Sequence, residues 1–203
     1  MGLTNHTKRN NHRIVRQGIW NGPVRGRRSR GFTLLEALIT LAIAAFLSLM
    51  LPDLRNLLLN SRMTTQINGL VHDMHLARSE AITQGTQVIL CKSRSQQRCS
   101  RQSRWDEGWI LFSDVDHDEA LDDDEPVLLR QGRLNPQTRL HYAGFRSHHF
   151  VTFYSNGFTN VNGTFTFCDT RGPGAARAII LSKTGRIRTS RTKADGRSPL
   201  QCD

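Results

Sequence analysis

The sequence predicts an α+β protein: one long N-terminal helix, a membrane half followed by an amphipathic half, packed on a C-terminal antiparallel β-sheet domain. Three observations predict it. From Phe32 to Leu51 runs a 20-residue apolar stretch in which only Thr33, Glu36, Thr40 and Ser48 are polar. Behind it, to about residue 84, apolar residues recur at helical spacing. After Gly85 the pattern becomes short β-rich runs bounded by Gly, Asn, Asp and Pro, which excludes a regular βαβ alternation.

The chain opens with a polar, basic segment. Lys8, Arg9, Arg13, Arg16, Arg25, Arg27, Arg28 and Arg30 stand there without an acid, so the positive-inside rule keeps residues 1–31 in the cytoplasm. No apolar period runs through them, and disorder before any processing is expected. As a helix, the 20 residues that follow span about 30 Å, the thickness of a bilayer's hydrocarbon core. A cleaved secretory signal would have a shorter apolar core and a small-residue cutting site, whereas Leu49-Met50-Leu51-Pro52 ends this one. Retention is the favoured reading. Glu36 then needs an explanation, because a carboxylate deep in a membrane costs roughly 2.5–3.5 kcal/mol on insertion scales.

The run Gly31-Phe32-Thr33-Leu34-Leu35-Glu36 at the head of a long apolar helix resembles the class III signal of type IV pilins and pseudopilins. The resemblance implies that the prepilin peptidase, a membrane aspartyl enzyme, cuts after Gly31 and that the new amine of Phe32 is methylated. It implies that Glu36, fifth in the mature chain, pairs with a neighbouring subunit's amino terminus during assembly. The expected map is a cytoplasmic leader over 1–31, a transmembrane and filament-core helix over 32–51, and a periplasmic pilin domain over 52–203. The expected place is the bacterial inner membrane, single-pass, with incorporation into a pilus or pseudopilus. Partners on this reading are other pilin subunits and the assembly platform.

Pro52 falls just past the spanning run and is expected to bend the helix without ending it. Leu54, Leu57, Leu58, Ile67, Leu70, Val71, Met74, Ala77, Ala81 and Ile82 form the stripe on which a sheet packs, with Arg55, Arg62, Asp73, Arg78 and Glu80 off it. Gly85 supplies the stop. Strands are predicted at 86–92, 108–113, 127–130, 150–155, 163–168, 178–182 and 186–189.

The formal charge of +11 is misleading, because the eight leader cations account for all but +3 of it. What remains is uneven. Ten acids and no Lys or Arg lie between Asp106 and Glu125, whereas Arg171, Arg177, Lys183, Arg186, Arg188, Arg191, Lys193 and Arg197 outnumber the acids of the C-terminal stretch. Cys91, Cys99, Cys168 and Cys202 follow the membrane run, on the side where disulfides persist. Of three possible connectivities we take Cys91–Cys99 and Cys168–Cys202, worth roughly 2.6 and 3.8 kcal/mol in the loop-entropy picture. The second would pin the basic tail to the sheet.

Asp114, Asp116, Asp118, Asp122 and Glu125 occupy positions 1, 3, 5, 9 and 12 of an EF-hand-like calcium loop, but Glu119 stands where that loop needs Gly. Its flanks also read as strands. The favoured reading is an acidic hairpin without a metal, calcium being the weaker candidate. Alternating Phe165 and Phe167 mark a sheet face against a core. No nucleophile elbow, P-loop, HExxH or dinucleotide fingerprint appears, so neither an enzyme nor a cofactor is expected.

Trp105-x-x-Gly108-Trp109-Ile-Leu-Phe-x-Asp, Asn156-Gly157, Phe165-Thr-Phe-Cys168 and Gly185-Arg186-Ile-Arg188 are similar to the FimT/GspH group of minor pilins and pseudopilins. In its FimT branch a Gly-Arg-x-Arg segment is tied to DNA binding in natural transformation, and Gly185, Arg186 and Arg188 match it. In a strand those two arginines would share a face, with Arg191, Lys193 and Arg197 following on the tail. The expected function is a minor type IV pilin that aids assembly and captures double-stranded DNA. The alternative is a GspH-type pseudopilin of a type II secretion system, with no nucleic-acid role.

Overall fold

A computed structural model describes residues 31–145 and 148–202 of the chain; the leader reading of residues 1–30 lies outside the described residues. Helix α1 covers Leu34–Gln84 and is continuous through Pro52, so the proline does not end it. The chain divides into two compact units, one up to Leu49 and one from Met50 onward.

In the first unit α1 starts on a side-chain cap. Thr33 Oγ1 accepts from the Glu36 N–H at 3.2 Å, and Glu36 places an acid in the first turn, where the helix dipole favours it. Leu34, Leu35, Leu38, Ile39, Leu41, Ile43, Phe46 and Leu47 are all exposed. An all-round apolar helix that buries none of its side chains is what a membrane span or a filament core requires.

In the second unit the rest of α1 meets two four-stranded antiparallel sheets. One has the order β3-β2-β1-β5 and the other β4-β6-β7-β8. The strands are β1 Gln87–Lys92, β2 Trp109–Asp114, β3 Val127–Gln131, β4 Arg139–Gly144, β5 Phe150–Phe153, β6 Gly163–Cys168, β7 Arg177–Leu181 and β8 Ile187–Ser190. Met63, Ile67, Leu70, Met74, Ala77 and Ala81 of α1 are buried with Val88, Leu90, Trp109, Leu111, Val151 and Phe153 of the first sheet and Leu140, Phe165, Phe167, Ile179 and Leu181 of the second. Spacings of four and three along the helix keep these six on one face. Gly85 takes φ +70 and donates to Ala81 O, which closes the helix.

The stripe differs from its expectation at both ends. Leu54, Leu57, Leu58 and Ile82 are exposed, whereas Met63 is in the core. Asp73 was placed off the stripe, yet it is buried and accepts from Trp109 Nε1 at 2.8 Å. Burial pushes its pKa up and the indole bond partly offsets that. Strand β4 was not predicted. Its alternation, Leu140 and Tyr142 inward with Arg139 and His141 outward, is clear only once β6 lies beside it, because only Tyr among its six residues has strong strand preference.

Trp105, Trp109, Phe153, Phe165 and Phe167 are core. Trp105 packs edge-on against Tyr142 and Phe165, with centroids 5.6 and 5.0 Å apart. Both disulfides have the expected partners, Cys91 with Cys99 and Cys168 with Cys202.

Candidate functional site

The basic segment is built from β8 outward. Ile187 packs on the core, and the flanking Arg186 and Arg188 are therefore left exposed on the other face of the sheet's edge strand. Beyond β8 the tail turns back through the Thr192–Pro199 bridge. It lays Leu200 and Cys202 against Cys168, Ala176 and Ala178. The Cys168–Cys202 bond fixes that return. Arg191 and Arg197 are exposed and Lys193 is half-buried.

Two of these cations are held by neutral groups. Arg188 Nη2 donates to Ala194 O at 3.1 Å, and Lys193 Nζ to Gln201 Oε1 at 3.0 Å. Among the described residues, no carboxylate is within ion-pair distance of any of the five. The nearby Asp195 is occupied by its own turn, accepting from the N–H groups of Arg197 and Ser198 and from the Ser198 hydroxyl. Those bonds hold its carboxyl down at about 2.

Gly185 has a structural reason to be there. It sits at φ +73, and a Cβ would strike the Gly157 carbonyl oxygen and crowd the Arg78 guanidinium. Arg78 donates Nη1 to Gly185 O at 3.1 Å and Nη2 to Thr184 O at 3.4 Å. The helix therefore clamps the turn that precedes Arg186. Sequence reasoning missed Arg78, because a basic residue at the edge of a helix stripe carries no mark of a partner a hundred residues away.

The acidic loop is the β2–β3 connection, as expected of a hairpin. It is narrower as a cluster than the five residues named from spacing. Asp114, Asp116 and Asp118 each bring an oxygen within 4.8 Å of the others. Glu125 is turned to bracing, accepting from Val115 N at 2.8 Å and from Asp122 N at 3.3 Å, and neither it nor Asp122 is among the three that cluster. The objection at Glu119 also falls: the residue adopts φ +65, the conformation that a Gly would have supplied. Asp114 is fully buried and neither of its carboxylate oxygens has a hydrogen-bond partner. Backbone N–H groups of Glu119, His117 and Asp118 face it without reaching hydrogen-bond geometry. Burial raises its pKa, and those dipoles only partly oppose the rise.

At the other end of the domain's sequence, Gly31 and Phe32 are exposed ahead of α1, and Glu36 lies on its bare first turn. The profile of the prokaryotic N-terminal methylation motif matches residues 26–52, a range that contains all of them. The family described as Type II transport protein GspH matches residues 66–185. The chain belongs to the GspH family. It is thus a pilin or pseudopilin, a family that implies assembly with other pilin subunits at a membrane. The GspH match ends one residue before Arg186, so the cations of β8 and the tail stand outside it.

Among solved structures, the chain is similar to the type IV minor pilin FimU of Pseudomonas aeruginosa, at 17% identity and TM-score 0.46, covering 64% of this chain and 89% of that one. It is also similar to the minor pseudopilin EpsH from the type II secretion system of Vibrio cholerae, at 10% identity and TM-score 0.48, covering 71% and 99%. No curated protein matches.

Proposed function

We propose that this GspH-family protein is a minor type IV pilin that takes part in pilus assembly and captures DNA for uptake. The observation that carries it is the row of cations along β8 and the disulfide-held tail, with Arg186, Arg188, Arg191 and Arg197 exposed and Lys193 half-buried, none of them ion-paired among the described residues. Duplex phosphates suit such a surface. It offers a strand edge and a turn, with no helix to enter a major groove, so binding is independent of sequence. On this reading the prepilin peptidase cuts after Gly31, Phe32 is methylated, and Glu36 meets the amino terminus of the next subunit. The domain from residue 52 then stands in the periplasm, and the protein has no catalytic role.

The second reading is a structural pseudopilin of a type II secretion system, favoured by the description of the family that matches residues 66–185. One titration separates the two. Full-length protein in detergent micelles is titrated against labelled duplex DNA at about 50 and 200 mM salt, beside an Arg186→Gln, Arg188→Gln double variant. With about four phosphates contacted, affinity should fall by about two orders of magnitude between the two salts, and the variant's log–log salt slope should be shallower by about 2. Equal binding by wild type and variant at low salt would favour the secretion reading.

A further inference from the structure

We propose that the β2–β3 loop is a calcium site whose ion is held by Asp114, Asp116 and Asp118. Burying a carboxylate with no partner is costly, and the usual remedies are protonation, a hydrogen bond or a cation. Asp114 has no hydrogen bond. It is 0% exposed, and it points at two further carboxylates, which only a cation puts to use.

Hydrogen bonds within the loop leave room for the ion. Asp118 N donates to Asp116 Oδ1 at 3.3 Å and Ala120 N to Asp118 Oδ1 at 2.7 Å, so each side chain keeps a second oxygen. The chain returns on itself at His117 and Glu119, with φ +67 and +65, which brings alternate residues to one side.

The chemistry of the donors selects the cation. The three oxygens lie within 4.8 Å of one another, a separation that calcium–oxygen bonds of about 2.3–2.6 Å can span. Magnesium demands near-ideal octahedral geometry and gives up its water reluctantly, which three carboxylates on one loop do not meet. An all-carboxylate cluster is also a hard-oxygen set, unsuited to a soft metal. Backbone carbonyls and water complete the six to eight oxygens that calcium takes. Arg98 and Arg130 line the groove beside Asp122, Asp123 and Glu125, but neither closes on the cluster.

The test uses the full-length protein in detergent micelles, with disulfides intact, stripped with EGTA and dialysed. Calcium chloride is titrated calorimetrically at about 0.15 M NaCl, and thermal melts are recorded with and without it. One calcium per chain is expected, with Kd at or below about 1 mM, and a melting midpoint that rises with calcium. Asp114→Asn and, separately, Asp118→Asn should each weaken binding at least tenfold, and magnesium should bind at least tenfold more weakly. Asp118 is exposed, so its variant keeps the wild-type midpoint in chelator and isolates binding from folding. No heat and no midpoint shift up to about 10 mM calcium would overturn the proposal and leave Asp114 as a neutral acid. Calcium binding that both variants retain, or equal affinity for magnesium, would overturn it as well.

Discussion

The ten acids between Asp106 and Glu125 are held by two opposite means. Asp106 and Glu107 form the first pair, on a short 3₁₀ turn, and both are buried. Four arginines reach them: Arg104 at 2.8 Å and Arg139 at 3.3 Å to Asp106, Arg94 at 2.7 Å and Arg133 at 3.2 Å to Glu107. Asp114 is as deeply buried seven residues later and has no such partner among the described residues. One acid block thus contains a neutralised anchor and an unneutralised loop. The difference teaches that a run of like charge in sequence says nothing of where its counter-charge is: in the anchor it comes from within the fold, and in the loop it must come from solution or from protons.

The largest effect expected of this contrast is at the anchor. Glu107 accepts from the Arg104 N–H at 3.0 Å as well as from Arg94 and Arg133. Glu107→Ala removes three charge-assisted bonds at the base of β2 and should cost about 3 kcal/mol. In a domain of this size that is roughly 6–12 °C in melting midpoint. A loss below about 1 kcal/mol would mean that the arginines are an exposed rim and not an anchor.

The loop should answer with the opposite sign. In excess chelator, Asp114→Asn replaces an unpartnered buried carboxylate with a neutral amide that can donate to Asp116 or Asp118, and a gain of about 1 kcal/mol is expected. With calcium added, the ranking of variant and wild type should reverse. A destabilised variant in chelator would show that the Asp114 charge is already satisfied by the backbone N–H groups that face it.

How much of this was legible in the sequence follows from the range of the forces involved. The helix, its stop at Gly85 and seven of the eight strands among the described residues are local patterns, and they read correctly. Both disulfides also have the partners taken for them. Strand β4 was missed because its preference is supplied by β6 across the sheet. Asp73 looked solvent-facing because its partner, the Trp109 indole, is 36 residues away. At the basic site the exposed arginines were legible, while the reason for Gly185 was not: it lies in the Gly157 carbonyl and the Arg78 clamp, both distant in sequence. Glu119 shows the converse, a residue rule broken in place because the loop fixes its φ at +65.

The smallest expected effect is in acid. The Arg94 guanidinium, then the Arg104 N–H, hold the Glu107 carboxyl down at about 2, against an ordinary value of 4.5. A carboxyl with a lowered folded-state pKa contributes stability that is complete above the unfolded value and lost as pH falls through the folded one. The Glu107 contribution should therefore be whole above about pH 5 and disappear between about 4.5 and 2. Asp195, also held to about 2, and Asp169, lowered chiefly by Arg171 against its burial, add to the same acid limb. Side chains of Arg94 and Arg133 are 68% and 60% exposed, so solvent screens the pairs, and protonation, which leaves the side chain in place, costs less than the truncation in Glu107→Ala. Thermal midpoints measured from pH 6 to pH 2.5 should fall less steeply in Glu107→Gln than in wild type. Equal slopes in wild type and Glu107→Gln would assign the acid limb to Asp169 and Asp195 and remove Glu107 from it.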